Sequence, residues 1–208
     1  MTKLTNFLVL FLVLNFSSYS QNFLSTSGSS IVNENGDTII FRGMGLGGWM
    51  VQEGYMMAPG GFSSTQYQIK DRLIELIGEE ETDVFYHNWL SNHVRKIDID
   101  SMKQWGFNLI RVPIHYNLFT EPIENEPFPN AYTEKEIGFT LLDSLLSWCK
   151  QNQIYLMIDL HAAPGGQGYN ADISDYDPTK PSLWESILNQ NKTVELWRRL
   201  ASRYKNCL

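Results

Sequence analysis

The run Ile154-Tyr155-Leu156-Met157-Ile158-Asp159-Leu160-His161-Ala162-Ala163-Pro164-Gly165-Gly166 constrains the fold more than any other stretch of this chain. A near-continuous apolar segment ends in Asp-Leu-His and then in a loop of proline and glycine. Buried parallel strands read as continuous apolar runs, and they deliver polar groups at their carboxyl ends. Packing alone gives a buried strand no reason to finish on an acid and an imidazole. A strand is expected over 154–160, with Asp159 turned inward or paired locally and His161 at a site for binding or catalysis.

A second stretch has the same character. Phe107-Asn108-Leu109-Ile110-Arg111-Val112-Pro113-Ile114 is largely apolar, with one arginine near its end. A buried guanidinium without a partner is costly, so Arg111 should face a carboxylate or a ligand. Pro113 cannot donate a ladder hydrogen bond, so this strand is expected to finish near Arg111 or Val112. His115 and Tyr116, just beyond, are candidate rim residues. Helical patterns occupy about 65–77, 82–95, 98–105 and 133–151, and a last one starts at Asn191 with Trp197, Leu200 and Tyr204 at helical spacing. Thr133 and Glu136 spell a capping box. Strand, loop, helix, repeated, means parallel β/α units with function at the strands' carboxyl ends.

Upstream, Asn35-Gly36 lies between Ile31-Val32 and Thr38-Ile39-Ile40-Phe41, a hairpin signal, and residues 21–30 read as a flexible lead-in. Four glycines fall between Gly43 and Gly48. They complete neither a dinucleotide nor a phosphate-loop pattern, so close backbone packing under a site is the expectation. Residues 1–20 read as a cleaved signal peptide: Lys3, an apolar run from Phe7 to Phe16, and small residues up to Ser20. That run is short of the roughly 20 residues a bilayer span needs. A secreted chain (extracellular, periplasmic or cell-surface) without a membrane span is expected.

The formal net charge of −7 and a pI near 5.1, with no basic block, exclude nucleic acid and anionic surfaces as natural partners. A neutral ligand fits better. His87 and His93 are six residues apart and face different directions of a helix, and no His-Glu-x-x-His or paired-Cys spacing occurs, so no metal or other cofactor is expected. No Gly-x-Ser-x-Gly elbow supports a serine nucleophile. Cys149 reads as a small buried hydrophobe and Cys207 as an unpaired thiol.

Three motifs in order carry a family resemblance. Gly43-Met44-Gly45-Leu46-Gly47-Gly48-Trp49-Met50-Val51-Gln52-Glu53 resembles the Gly-Leu-Gly-Gly-Trp segment of glycoside hydrolase family 5, above all its exo-β-1,3-glucanase-like and cellulase-like members. Gly106 to Pro113 resembles that family's second-strand motif, and Asp159 to Gln167 its third. The resemblance covers about residues 31–204. It implies a (β/α)8 TIM barrel of which this chain holds the first three or so β/α units, preceded by a β-hairpin.

The resemblance also implies retaining hydrolysis of β-glucan-type polysaccharides by two glutamates, one an acid/base and one a nucleophile. Arg111 would bond the nucleophile and keep it ionised, and His161 would line the subsite where the sugar is cleaved. Glu53 would bind sugar hydroxyls. Trp49, His115 and Tyr116 are further substrate-binding candidates, with a core position the alternative for Trp49. Both catalytic glutamates are expected beyond Leu208. Asn125-Glu126-Pro127 carries the acid/base triplet but precedes the Asp-Leu-His strand, so it reads as coincidence in an acidic, proline-rich loop. The expectation is a truncated chain, inactive alone and monomeric at full length. The alternative is a non-catalytic carbohydrate-binding or surface protein that keeps the sugar-facing part of the barrel.

Overall fold

The computed structural model describes residues 24–57, 61, 63–169 and 171–207. The signal-peptide reading of residues 1–20 lies outside them. Three parallel strands form the central sheet: β3 (Gly43–Gly45), β4 (Leu109–His115) and β5 (Tyr155–Ala162), in the order β3-β4-β5. β4 is central and pairs with β5 from Leu109↔Tyr155 to His115↔Ala162, with a register shift between Ile114 and His115. Alternation sorts the side chains by face. Ile110, Val112 and Ile114 are fully buried under the helices, each contributing about 1.5–3 kcal/mol of apolar burial. Arg111, Asp159 and His161 lie on the other face.

Helices α3 (Glu79–Asn92), α4 (Lys96–Gln104), α5 (Glu136–Asn152) and α7 (Ile187–Tyr204) supply the rest of the core through Leu90, Ile99, Leu142, Leu145, Leu196 and Leu200. Cys149 is buried there, and both cysteines are free thiols. α2 (Gln66–Ile77) starts at Thr65, whose side chain accepts the Gln68 N–H. Two four-residue helices, α1 (Gly54–Met57) and α6 (Ala171–Ser174), sit in the loops after β3 and β5.

Several elements depart from the sequence expectation. β4 runs through Pro113 to His115. The even and odd residues of a parallel strand bond to opposite neighbours. Leu109, Arg111 and His115 bond toward Arg42, Leu46 and Met50 of the β3 side. Pro113 therefore turns its missing donor toward the Gly47–Trp49 turn, where no strand needs it. β5 likewise reaches Ala162 rather than ending at Leu160.

The amino-terminal hairpin is also displaced. β1 (Ser25–Ser27) pairs with β2 (Ser30–Val32) around Gly28, within the stretch expected to be a lead-in. The Asn35-Gly36 segment instead closes a loop in which the Asn33 side-chain oxygen accepts the Asn35 and Asp37 N–H groups. A single antiparallel bridge, Val32↔Thr38, remains of the expected pairing. Finally, Thr133 does not cap α5. The helix begins after Lys135, and Thr133 bonds the Glu126 carboxylate instead.

Candidate active site

The site assembles at the carboxyl ends of the three parallel strands. After β3 the chain turns through Gly48, at φ +76°, and rejoins the sheet where Met50 bridges Ile114. This detour carries Glu53 to the end of the first strand. Gly54 holds it there: its N–H bonds the Ser64 carbonyl, and a Cβ would stand 2.5 Å from that oxygen. Only glycine tolerates so close a backbone approach.

Arg111 comes from β4 and Asp159 and His161 from β5. One guanidinium nitrogen of Arg111 donates to Asp159 Oδ2 at 2.5 Å, and His161 Nδ1 lies 2.8 Å from the same oxygen. His161 Nε2 faces Glu53 Oε1 at 3.4 Å. The imidazole therefore lies between two carboxylates, with an Arg111 nitrogen 3.3 Å from Nδ1. Glu53 is buried, while the Arg111 side chain is 43% exposed and keeps N–H groups free for a bound group. Tyr55, two residues past Glu53, belongs to the same neighbourhood. Desolvation first, and then the Glu53 carboxylate, push its phenol above the usual range.

His115 and Tyr116 do not join this network. His115 is buried; its Nδ1 accepts the Asn117 N–H, so Nε2 carries the hydrogen and donates to Asp175 at 2.9 Å. Asp175, at φ 52°, also accepts the Tyr67 N–H and so ties the loop after β5 to α2. His115 and Tyr116 line a separate cavity of about 700 Å³ with Tyr67, Asp175 and Lys180, and none of the four network residues borders it. Burial, followed by the Glu124 charge, raises the Tyr116 phenol.

Trp49 is corrected from substrate contact to core. It is 2% exposed and donates its indole N–H to the Leu90 carbonyl, because the Gly47-Gly48 turn swings it toward α3. Glu126 is likewise not in the cleft. It is buried and ion-paired with buried Lys192 of α7, and it accepts bonds from Thr120 and Thr133. Sequence reasoning missed Asp175, Tyr55 and Lys192. Each lies in a loop or on a polar helix, where no periodicity marks a side chain as special.

Ionic side chains spanning the ends of adjacent parallel strands, with helices packed on the opposite face, are the arrangement found at the carboxyl-end face of β/α barrels. Comparison with known proteins agrees. The family model Cellulase (glycosyl hydrolase family 5) matches residues 70–207. The chain is 34% identical over 185 residues to a β-xylosidase of Phanerodontia chrysosporium, covering 88% of this chain and 37% of that protein. It is 28% identical over 193 residues to glucan 1,3-beta-glucosidase 2 of Saccharomyces cerevisiae, covering 82% of this chain and 34% of that protein.

Among solved structures, the rutinosidase from Aspergillus niger superposes with a TM-score of 0.61 at 17% identity, covering 80% of this chain and 45% of that one. AoRut gives 0.63 at 16% identity, covering 80% and 44%. These two show the fold. The chain belongs to glycosyl hydrolase family 5, and family membership implies the (β/α)8 barrel. It spans less than two fifths of the length of those curated relatives.

Proposed function

We propose that this chain is the sugar-facing amino-terminal part of a secreted, retaining glycoside hydrolase acting on β-glucan-type polysaccharides. One observation carries the reading: Glu53, Arg111, Asp159 and His161, from three consecutive strand ends, converge on one open face of the sheet. Asp159 aims the Arg111 guanidinium across the cleft, where its free N–H groups orient and keep ionised the carboxylate that attacks the anomeric carbon. His161 and Glu53 offer hydrogen-bonding groups to the hydroxyls of the sugar being cleaved. The acid/base and the nucleophile are assigned to strand ends that follow β5, outside these 208 residues, at the roughly 5–5.5 Å separation of retaining enzymes. Glucosidase, xylosidase and endoglucanase names among the relatives support a β-linked neutral glycan as substrate. Residues 1–20 support export. Among the described residues no helix is long and apolar enough to cross a membrane.

The test is hydrolysis by the full-length secreted protein. Laminarin, lichenan, cello-oligosaccharides and xylo-oligosaccharides would be offered, with proton NMR following the anomer first released. Cleavage of at least one, releasing the β-anomer first, is expected. Tight binding of a glycan without any cleavage would favour a carbohydrate-binding protein, and first release of the α-anomer would refute retention.

A further inference from the structure

The side chain that ends the third motif, Gln167, takes no part in the ionic network, yet it is bonded to the strand end that carries His161. We propose that Gln167 is a positioning residue for this cleft: its side-chain amide stands in for a neighbouring strand at the end of β5 and so fixes where His161 stands. This rests on the glycosidase reading above and adds to it a residue that acts through His161.

Alternate residues of a parallel strand bond to opposite neighbours. Ala162 is paired with His115 of β4, and β5 is the outer strand of the sheet among the described residues. The His161 carbonyl and the Ala163 N–H therefore face the open edge. A residue of an adjoining parallel strand would donate its N–H to the first and accept the second on its carbonyl. The Gln167 amide does both: Nε2 donates to the His161 carbonyl at 2.5 Å and Oε1 accepts the Ala163 N–H at 3.0 Å. A carbonyl only accepts and an N–H only donates, so this orientation of the amide is the one that bonds twice. Without it both groups would be orphans beside Ala162 and Ala163, which are buried.

The loop is shaped to bring Gln167 back. Gly165 and Gly166 take φ +78° and +74°, and a Cβ on Gly165 would stand 2.3 Å from Asn189 Nδ2. The Gly166 N–H bonds the Ala163 carbonyl at 2.8 Å, closing a turn, and the Gly166 carbonyl accepts the Leu183 N–H at 3.0 Å. The Gln167 carbonyl accepts the Trp184 indole N–H at 2.7 Å, so backbone and side chain of this residue are held from two sides. The consequence reaches the cleft through one backbone position. The imidazole of His161 hangs from the residue whose carbonyl Gln167 holds. That ring lies 2.8 Å from Asp159 Oδ2, 3.3 Å from an Arg111 nitrogen and 3.4 Å from Glu53 Oε1. A displacement of about 1 Å in such a positioned group costs on the order of 10²-fold in rate.

The test uses Gln167→Leu, which keeps the bulk and loses both bonds, and Gln167→Glu, whose carboxylate keeps the acceptor and loses the donor. Each is made in the full-length protein, alone and together with His161→Ala. Two quantities are measured: kcat/KM on a p-nitrophenyl β-glycoside, and the imidazole NMR signal of His161, assigned by its loss in His161→Ala. Each single variant should lower kcat/KM by about 10- to 100-fold and move the His161 signal. In the His161→Ala background the same substitutions should cost less than about twofold, because the group they position is gone. Equal losses in the two backgrounds would overturn the proposal, showing that Gln167 serves the loop and not His161. So would an unmoved His161 signal, or loss of the folded protein in both variants, which would make Gln167 a strut. A wild-type protein that cleaves no β-glycoside, with the signal still moved by Gln167→Leu, would sink the hydrolase reading and sustain the placement of His161 by Gln167.

Discussion

Glu126 offers the sharpest quantitative test, because its sequence context suggests catalysis and its surroundings in the structure are those of a buried strut. The carboxylate accepts bonds from Lys192 Nζ, the Thr133 N–H and hydroxyl, and the Thr120 hydroxyl. Both members of the ion pair are 3% exposed. In Glu126→Ala the Lys192 ammonium would be left with the Thr120 hydroxyl and the Ala131 carbonyl as its neutral partners. Removing one member of a buried pair costs about 3–5 kcal/mol. Glu126→Gln keeps an acceptor and loses the charge, so about 1.5–3 kcal/mol is expected. The Glu126→Leu/Lys192→Met double variant leaves no orphaned charge and should be about 2 kcal/mol or more above Glu126→Ala.

Urea unfolding of the full-length protein measures all three. The pH dependence has a definite sign. Burial pushes the Glu126 carboxyl up, but the Lys192 ammonium and the Thr133 N–H outweigh it and hold the group below its ordinary value near 4.5. A lowered folded value contributes stability above pH 4.5 that is lost as pH falls through that lower value. The gap between wild type and Glu126→Gln should therefore close below about pH 4.5. Activity per folded molecule should be unchanged in Glu126→Gln, whereas loss of a general acid costs about 10²–10⁴-fold. A Glu126→Ala penalty under about 1 kcal/mol, or a gap that ignores pH, would refute the reasoning.

Two further outcomes are expected. Arg111→Lys replaces a planar fork with a point charge. It should lower kcat by about 10²-fold through misplacement of the group it orients, with stability within about 1 kcal/mol because the side chain is half exposed; equal losses in kcat and folding would contradict this. Cys149 is fully buried and burial pushes its thiol up to about 12. Native protein should resist a thiol reagent at Cys149 at neutral pH, the thiolate being the reactive form, while Cys207, which is partly exposed, reacts. Rapid labelling of Cys149 without denaturant would count against the described core.

The chain's own sequence marks parallel strands near 107–112 and 154–160 through largely apolar runs that end at Arg111 and at Asp159-Leu160-His161. Their outer bounds, Leu109–His115 and Tyr155–Ala162, and the partial exposure of β5 come from the fold. The sequence also marks Arg111 and His161 by their places at the ends of apolar runs, and Glu53 through the family resemblance of the Gly43–Glu53 segment. Only the tertiary structure decides who meets whom. Pro113 stays in β4 because its lost donor points at a turn, which depends on where the first strand breaks. Trp49 leaves the cleft because Gly48 swings it under α3. Thr133 serves Glu126 instead of α5, since a buried carboxylate beside Lys192 competes for its hydroxyl and N–H. Local sequence specifies period, turn chemistry and breakers within a few residues. Pairings such as His115 with Asp175, or Glu126 with Lys192, join residues 60 and 66 positions apart. Burial and charge decide these pairings, and both exist only once the chain has folded.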